Sequence, residues 1–332
     1  MRKNLLEVTG KGLYCGEGKF YIDPWKPVDK AVITHAHSDH ARFGSKYYLA
    51  SDPSKLLLKS RLGDIKLQTI PYGEAINFNG VKVSLHPAGH VLGSSQIRVE
   101  NRGEVWVVSG DYKIEDDKTC DAFELVKCNT FITESTFGLP IYKWKPQTEI
   151  FDEINSWWKS NSERGKVCVI YAYALGKAQR IIAGLENIGP IFTHGAVEKL
   201  NACYRESGVE LPETKYAGDV KAKNEFKGGI VVSPPSGNNS AWLRKFGSIT
   251  DAFASGWMMI RGARRRRAVD RGFVLSDHVD WNGINKTIDD TGAENVLVTH
   301  GYASPLVRFL QEKGLNAKSI STRFEGEPED DQ

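Results

Sequence analysis

The sequence of 332 residues lacks any run of about 18 consecutive apolar residues, the length that a membrane-spanning helix needs. The N-terminal residues are basic, but they have neither the continuous apolar stretch nor the small-residue cleavage site of a secretory signal. We therefore expect a cytoplasmic protein that does not insert into a membrane.

Cysteine is scarce and irregularly spaced. The five cysteines are an odd number, and no two of them form a CxxC pair. This pattern excludes a disulfide framework and a cysteine-type zinc knuckle as first interpretations. We expect reduced and mostly buried thiols. The positions are Cys15, Cys120, Cys128, Cys168 and Cys203.

The sequence also lacks internal repeats, low-complexity linkers and a large net charge. The formal net charge is only +3, so a polyanionic partner has to be met by a local basic patch. One such patch exists, because residues 261–271 (RGARRRRAVDR) contain six arginines and a single aspartate. We favour a nucleic-acid backbone contact over a merely solvated face, with strong salt dependence and little sequence specificity. The candidate residues are Arg264, Arg265, Arg266 and Arg267.

The hydrophobic pattern changes along the chain. Short apolar or alternating runs bounded by turn residues predict strands over roughly the first 135 residues. From about residue 146, strand-like runs alternate with helical periodicity, which predicts a parallel α/β layer. We therefore predict one domain from residues 1–145 and 272–332, and an inserted α/β domain over residues 146–271.

The stretch THAHSDHARFGS, residues 34–45, concentrates three of the eight histidines and an aspartate within six positions. It follows the predicted strand KAVIT, so the side chains can converge from a tight loop. Neutral imidazole and carboxylate together suit Zn, Mn or Fe. Four potential ligands exceed what one tetrahedral ion takes from one loop, and this predicts two ions. The four are His35, His37, Asp39 and His40.

Other histidines and acidic residues also follow predicted strands. Strand ends meet at a common edge of a sheet, so we expect these side chains to join the first four. They are His86 and His90 after VKVSL, Asp111 after EVWVV, His278 after GFV, and His300 after NVL.

These motifs carry a family resemblance. HAHSDH, AGHVLG and SGDY are similar to the metallo-β-lactamase-fold hydrolases, and ITESTFG, LSDHVD, VLVTHG and YALGKAQR resemble the β-CASP nucleases of that fold. The run FYIDPWKPVDKAVITHAHSDHAR resembles bacterial DNA-ligase-associated exonucleases in particular. The resemblance extends from Tyr14 to about Thr322. It implies an α/β fold, a metallo-β-lactamase αββα sandwich with an inserted β-CASP α/β domain.

The resemblance also implies two divalent metal ions, with Zn²⁺ expected first and Mn²⁺ or Fe²⁺ also compatible. One ion would be held by His35, His37 and His90. The other would be held by Asp39, His40 and His300. Asp111 would bridge them. His86 has no matching role and is expected to be structural. His194 falls in the insert and is expected to be structural, with a place near the substrate as the alternative.

Paired metals of this kind activate water and neutralise the phosphodiester. The leaving oxygen still needs a proton, and a histidine beside a carboxylate is a suitable donor. We assign this role to His278 oriented by Glu134, with Asp277 as the adjacent alternative for orientation. His278, Glu134, Asp39 and Asp111 are thus the predicted catalytic residues. Lys177, at the start of the helix in YALGKAQR, is predicted to contact phosphate, with plain helix capping as the alternative.

The leading hypothesis is a metal-dependent DNA exonuclease that shortens single-stranded or end-containing DNA, from 5′ to 3′, in repair beside an ATP-dependent DNA ligase. The alternative is an RNA-processing β-CASP ribonuclease, which His300 favours because this position resembles the RNA branch. A small-molecule hydrolase or an inactive scaffold of the same fold is a third hypothesis. The arginine run argues against a small substrate, and the intact ligand set argues against an inactive scaffold.

Overall fold

The computed structural model describes residues 4–238 and 240–324. Within them the chain forms two compact units. The first comprises the described residues of Met1–Lys143 and His278–Glu327, and the second those of Trp144–Asp277. The sequence pattern placed the divisions at residues 145 and 272, whereas the chain divides after Lys143 and after Asp277.

The strands of the described residues are, in chain order, β1 Glu7–Thr9, β2 Gly12–Cys15, β3 Phe20–Ile22, β4 Lys30–Val32, β5 Tyr47–Ser51, β6 Leu67–Ile70, β7 Ala75–Phe78, β8 Val81–Pro87, β9 Ser95–Asn101, β10 Glu104–Val108, β11 Thr130–Ser135, β12 Val167–Tyr171, β13 Ile191–Thr193, β14 Lys215–Tyr216, β15 Ile230–Ser233, β16 Ile249–Ala254, β17 Arg271–Phe273, β18 Asn295–Gly301 and β19 Asn316–Ser319. The α-helices are α1 Lys55–Leu62, α2 Gln147–Ser162, α3 Lys177–Ala183, α4 Gly195–Glu206, α5 Arg261–Arg267, α6 Trp281–Thr291 and α7 Ala303–Glu312.

The first unit contains two sheets. One has six strands in the order β1 to β6, and the other has seven in the order β19-β18-β11-β10-β9-β8-β7. Neighbouring residues of the second sheet alternate between two hydrophobic clusters. Trp106 and Val108 of β10 pack in the cluster that the two sheets share, whereas Val107 packs in another with residues of α6 and α7. The central strand β10 of this sheet is therefore buried on both faces.

Helix α6 of the first unit is delimited by local sequence signals. The Asp280 side chain accepts a hydrogen bond from the backbone N–H of Gly283 at 2.7 Å, which caps the helix start. Gly292 ends the helix in the left-handed conformation with φ of 69°, where a glycine has no Cβ penalty. This helix begins three residues after His278, so its cap helps to fix the position of that histidine.

The second unit has one six-stranded sheet in the order β14-β13-β15-β12-β16-β17, and its strand pairs are parallel. The central strand β12 (VCVIY) is buried along its whole length. Helices α2 and α3 contribute Ile150, Trp158 and Ile181 to the hydrophobic cluster on this sheet. The alternation of strands and helices after residue 146 is thus the α/β layer that the sequence predicts.

None of the helices in the described part of the chain is long and apolar enough to cross a membrane.

Candidate metal centre

The histidine-rich loop follows β4 directly and is fixed by backbone hydrogen bonds. The N–H groups of His40 and Ala41 both donate to the carbonyl of His37, at 3.2 and 2.8 Å, which closes a tight turn. Ser95 donates its N–H to the carbonyl of Thr34 at 2.8 Å and ties the loop to the second sheet. The turn allows side chains at non-periodic spacings to converge, as the sequence pattern predicts.

The remaining candidate ligands come from neighbouring strands of the second sheet. Asp111 lies just after β10, Glu134 lies on β11, and His300 lies near the end of β18. These three strands are parallel neighbours, so their carboxyl ends meet at one edge of the sheet. His90 follows β8 and reaches the same edge.

The first ligand group combines His35, His37, His90 and Asp111. The Nδ1 atom of His37 lies 3.1 Å from the Nε2 atom of His90. The Oδ2 atom of Asp111 lies 3.5 Å from Nε2 of His35 and 3.8 Å from Nε2 of His90. The predicted members of the first metal site are therefore brought together.

The second ligand group combines His40, His300 and the same aspartate. The Oδ1 atom of Asp111 lies 3.3 Å from Nε2 of His300 and 3.5 Å from Nε2 of His40. An Oδ2 atom of Asp39 lies 3.4 Å from that His40 nitrogen. Asp111 thus turns one carboxylate oxygen towards each group, which is the geometry of a bridging ligand.

The donor atoms fit divalent metal ions. Tetrahedral zinc with Zn–N bonds of about 2.0–2.1 Å has ligand atoms about 3.3 Å apart, close to the separations seen here. Within the described residues, several of these buried atoms also make no hydrogen bond, although such groups are usually satisfied. They are Nε2 of His35, His40 and His300, and Oδ1 of Asp111. Imidazole nitrogens and carboxylate oxygens left in this way suit Zn, Mn or Fe.

The site's electrostatics favour anionic carboxylates at Asp39 and Asp111 and a protonated His40 in the metal-free protein. Burial lowers the pKa of His35 well below its ordinary value. Burial also opposes a charge on His40, but the carboxylates of Asp39 and Asp111 and the Asp23 hydrogen bond raise its pKa well above the ordinary value. Burial opposes ionisation of Asp111, yet the neighbouring imidazoles, led by His40, hold its pKa well below the usual range.

His278 and Glu134 form a buried pair at the edge of the ligand cluster. Nδ1 of His278 lies 2.8 Å from Oε2 and 3.0 Å from Oε1 of Glu134. The backbone N–H of Tyr112 donates to Oε1 of Glu134 at 2.9 Å, which fixes the carboxylate. The His278 ring centre lies 4.8 Å from that of His90, so the pair borders the first ligand group.

Asp23 is a site residue that the sequence reasoning missed. Its buried carboxylate lies 2.8 Å from Nδ1 of His40 and also accepts hydrogen bonds from the backbone N–H and hydroxyl of Thr34. Asp23 ends the strand segment FYIDP and has a φ of 42°, unusual for a non-glycine residue. An acidic residue directly after a predicted strand is the same signal that identified Asp111, and it could have found Asp23.

An aromatic ring also packs against the second ligand group. The ring of Phe324 stacks on that of His40, with centres 4.4 Å apart and planes 13° apart. It meets the His300 ring edge-on at 5.9 Å. This packing leaves His40 few alternative orientations.

Two further histidines have structural surroundings. His86 is hydrogen-bonded to Glu124, with Nδ1 and Oε1 3.0 Å apart. Nδ1 of His194 accepts a hydrogen bond from the backbone N–H of Ala196 at 3.2 Å and caps α4.

In the second unit, Lys177 is fully buried at the start of α3. Its Nζ atom lies 3.6 Å from Oδ2 of Asp277, and Arg180 approaches Oδ1 of the same aspartate at 3.4 Å. Arg180 also donates to the carbonyl of Ser276 at 2.9 Å. Asp277 is thus engaged with two cations, whereas Glu134 contacts the ring of His278. The phosphate contact of Lys177 stays a prediction.

The arginine run forms helix α5 of the second unit. Arg264, Arg265 and Arg266 are exposed, whereas Arg267 is half-buried with its guanidinium 4.3 Å from the centre of the Phe253 ring. Ala263 is the buried residue that anchors the helix. A short helix with several exposed arginines presents a concentrated positive surface.

Comparisons with other proteins agree with this fold. No protein-family model matches the chain. A protein named probable DNA ligase from Opitutus terrae is 29% identical over 93% of this chain and 30% of its own length. Endoribonuclease YSH1 of Eremothecium gossypii is 30% identical over 89% of this chain and 45% of its own. Cleavage and polyadenylation specificity factor subunit 3-I of Arabidopsis thaliana is 28% identical over 88% of this chain and 54% of its own.

The chain therefore spans between about a third and about half of the length of these relatives. Among solved structures, a protein of unknown function from Enterococcus faecalis superposes with a TM-score of 0.62 at 12% identity, over 89% of this chain and 80% of the other. The chain has the metallo-β-lactamase fold with an additional α/β unit, as the sequence predicts. The relatives support a place for it in the β-CASP branch of the metallo-β-lactamase family.

Proposed function

We propose that the protein is a metal-dependent phosphodiesterase that shortens DNA from its ends, acting 5′ to 3′ on single strands beside a DNA ligase in repair. The observation that carries the proposal is the bridging geometry of Asp111, whose two oxygens face two separate groups of histidines. A paired site of this kind is suited to phosphodiester hydrolysis.

The chain's own residues divide the work between binding and proton transfer. Two bound divalent metal ions, with Zn²⁺ expected first, would activate water and neutralise charge on the phosphodiester oxygens. Asp111 holds both ligand groups at a fixed separation, and Asp39 adds negative charge beside His40. His278 donates a proton to the leaving oxygen, and Glu134 keeps its ring oriented through Nδ1.

The DNA assignment is supported by a relative that is named for DNA. The similarity to the protein named probable DNA ligase extends over 93% of this chain. The matched part is only 30% of that relative, which leaves the rest of its length for the ligase in its name. The similarity therefore also supports action beside a ligase. The exposed arginines of α5 supply a sequence-independent backbone contact, with Arg264 and Arg265 the most direct candidates.

RNA processing is the second candidate function. Two observations favour it: the relatives named endoribonuclease YSH1, and the presence of His300 in the second ligand group. The two functions share the metal centre and differ in which sugar the substrate carries. The deciding experiment therefore has to compare DNA and RNA directly.

The test is a cleavage assay on end-labelled single-stranded DNA and RNA of the same sequence, with Zn²⁺ or Mn²⁺, beside the Asp111→Asn variant as the blank. We expect the DNA to be shortened from its 5′ end, the RNA to be spared and the blank to be inactive. Shortening from the 3′ end would overturn only the polarity. RNA cleaved at least as well as DNA would overturn the DNA assignment in favour of the ribonuclease.

A further inference from the structure

The first unit has a cleft of about 470 Å³ at the amino ends of three parallel strands. Lys30 begins β4, Tyr47 begins β5, and Lys66 directly precedes β6. The strand register pairs Lys30 with Tyr47 and Tyr48 with Leu67, so Lys30, Tyr47 and Lys66 lie side by side. The candidate metal ligands of the histidine-rich loop follow the opposite, carboxyl end of β4.

The cleft combines an aromatic platform with a positive rim. Tyr47 is 43% exposed, a large fraction for an aromatic ring. The Nζ atoms of Lys46 and Lys66 lie 5.0 and 5.6 Å from the centre of its ring, and Nζ of Lys30 lies 5.5 Å from the ring of Phe78. These lysines therefore lie over aromatic rings. A base that stacks on Tyr47 has to displace a lysine side chain from the ring, and the displaced ammonium group is then free to meet the adjacent phosphate.

The rim has a clear excess of positive charge. Among the described residues that line the cleft there is no aspartate or glutamate. Asp29 lies 3.6 Å from Nζ of Lys46, but both side chains are mostly exposed, so water and salt weaken that pair. The cleft floor is apolar, with Leu49 and Val32 among its residues. A ligand that fits has a flat apolar body and flanking negative charges.

We propose that this cleft binds single-stranded nucleic acid, with one base stacked on Tyr47 and the adjacent phosphates at Lys30, Lys46 and Lys66. Stacking on an aromatic ring inside a basic groove is the general way in which proteins bind single strands without reading their sequence. The cleft volume is within the range that holds small ligands, and it admits a nucleobase. The proposal goes beyond the metal centre, since it concerns binding and requires no cleavage.

The position of the cleft makes the expected affinity depend on the length of the single strand. Lys30 and His35 are five residues apart, so their Cα atoms are separated by at most about 18 Å. A strand long enough to cover this separation can occupy both the cleft and the metal centre. Short oligonucleotides would contact one site only, whereas longer ones would gain affinity by contacting both.

The test measures binding of a fluorescent single strand of about 16 nucleotides, the upper end of single-strand site sizes, by anisotropy with chelator present. We expect Tyr47→Ala to raise Kd about fivefold or more, and Tyr47→Phe, which keeps the ring, to leave it unchanged. Lys30→Gln and Lys66→Gln should each reduce the slope of log affinity against log salt by about 0.7.

Lys313→Gln is the matched control. Its Nζ atom also lies over an aromatic ring, 5.8 Å from the centre of Phe309, and pairs with Asp289 on another surface of the same unit. We expect this variant to bind like the unmodified protein. A strand containing 5-iodouracil should cross-link to the peptide that holds Tyr47, which locates the contact independently of affinity.

Unchanged Kd and salt slope in the Tyr47 and lysine variants would overturn the proposal. So would binding of a glutamate–tyrosine copolymer that Tyr47→Ala abolishes, together with no affinity for the single strand, because the cleft would then fit an acidic protein partner. If Tyr47→Ala does not fold, the salt dependence of binding in Lys30→Gln and Lys66→Gln and the position of the cross-link test the proposal. Since metal is removed throughout, neither result depends on whether the metal centre cleaves DNA.

Discussion

The carboxylate of Asp23 lies 2.8 Å from Nδ1 of His40, on the side of the imidazole opposite to the atom that faces Asp111. A histidine that offers one nitrogen to a metal commonly donates the other to a carboxylate, which fixes the tautomer and the ring orientation. Asp23 is thus placed to present Nε2 of His40 as a ligand.

Asp23→Asn is expected to weaken metal binding at the His40 group by about 10- to 100-fold, because the amide no longer orients the ring as a carboxylate does. Metal content and competitive chelator titration measure the effect. Asp64→Asn, which changes an exposed aspartate, is the control and should bind both metals normally. Full metal affinity in Asp23→Asn would contradict the positioning role.

His278→Ala is expected to keep both metals and lose most of the turnover. General acid–base groups typically contribute about 10² to 10⁴ in rate, so we expect a loss of that order. Metal analysis and single-turnover cleavage measure metal content and turnover separately. Asp111→Asn is the contrasting variant, because it should lose metal. Glu134→Gln should show a smaller loss in rate, because Tyr112 still holds the side chain. An emptied metal site in His278→Ala would show that this histidine is a ligand.

Metal binding at the His40 group is expected to release a proton and to strengthen as pH rises. The neighbouring carboxylates raise the pKa of His40 in the metal-free protein, and a metal needs the neutral imidazole. Calorimetry in buffers of different ionisation enthalpy measures the released proton. His40→Gln should abolish this release while leaving the first ligand group able to bind.

The same raised pKa gives the metal-free protein a stability that depends on pH. A histidine whose pKa is higher in the folded state contributes its full stabilisation below the unfolded value of about 6.5 and loses it as pH rises through the folded pKa. The Tm measured with chelator should therefore decline above neutral pH, and more steeply than in His40→Gln. Equal slopes in the two proteins would contradict the raised pKa.

The clustering of histidines and aspartates could be predicted from sequence because these residues follow apolar runs. His35, Asp111 and His300 each stand where a β run ends, and parallel strands bring such ends to one edge. Asp23 was missed because a single aspartate after a three-residue strand resembles an ordinary turn. The surroundings of Lys177 were not foreseeable either, since its approach to Asp277 joins residues a hundred positions apart.

The arginine helix is expected to control the salt dependence of substrate binding. Each arginine that contacts a phosphate of a single strand contributes about 0.7 to the slope of log affinity against log salt, through released counterions. Replacing Arg264, Arg265 and Arg266 by glutamine should therefore lower the slope by about 2 and weaken binding for all sequences alike. Arg308→Gln is the control, because Arg308 is 83% exposed on α7 of the other unit and pairs with Glu312. A slope that stays unchanged in the triple variant would show that α5 is only a solvated helix, and a loss confined to one base sequence would contradict a backbone contact.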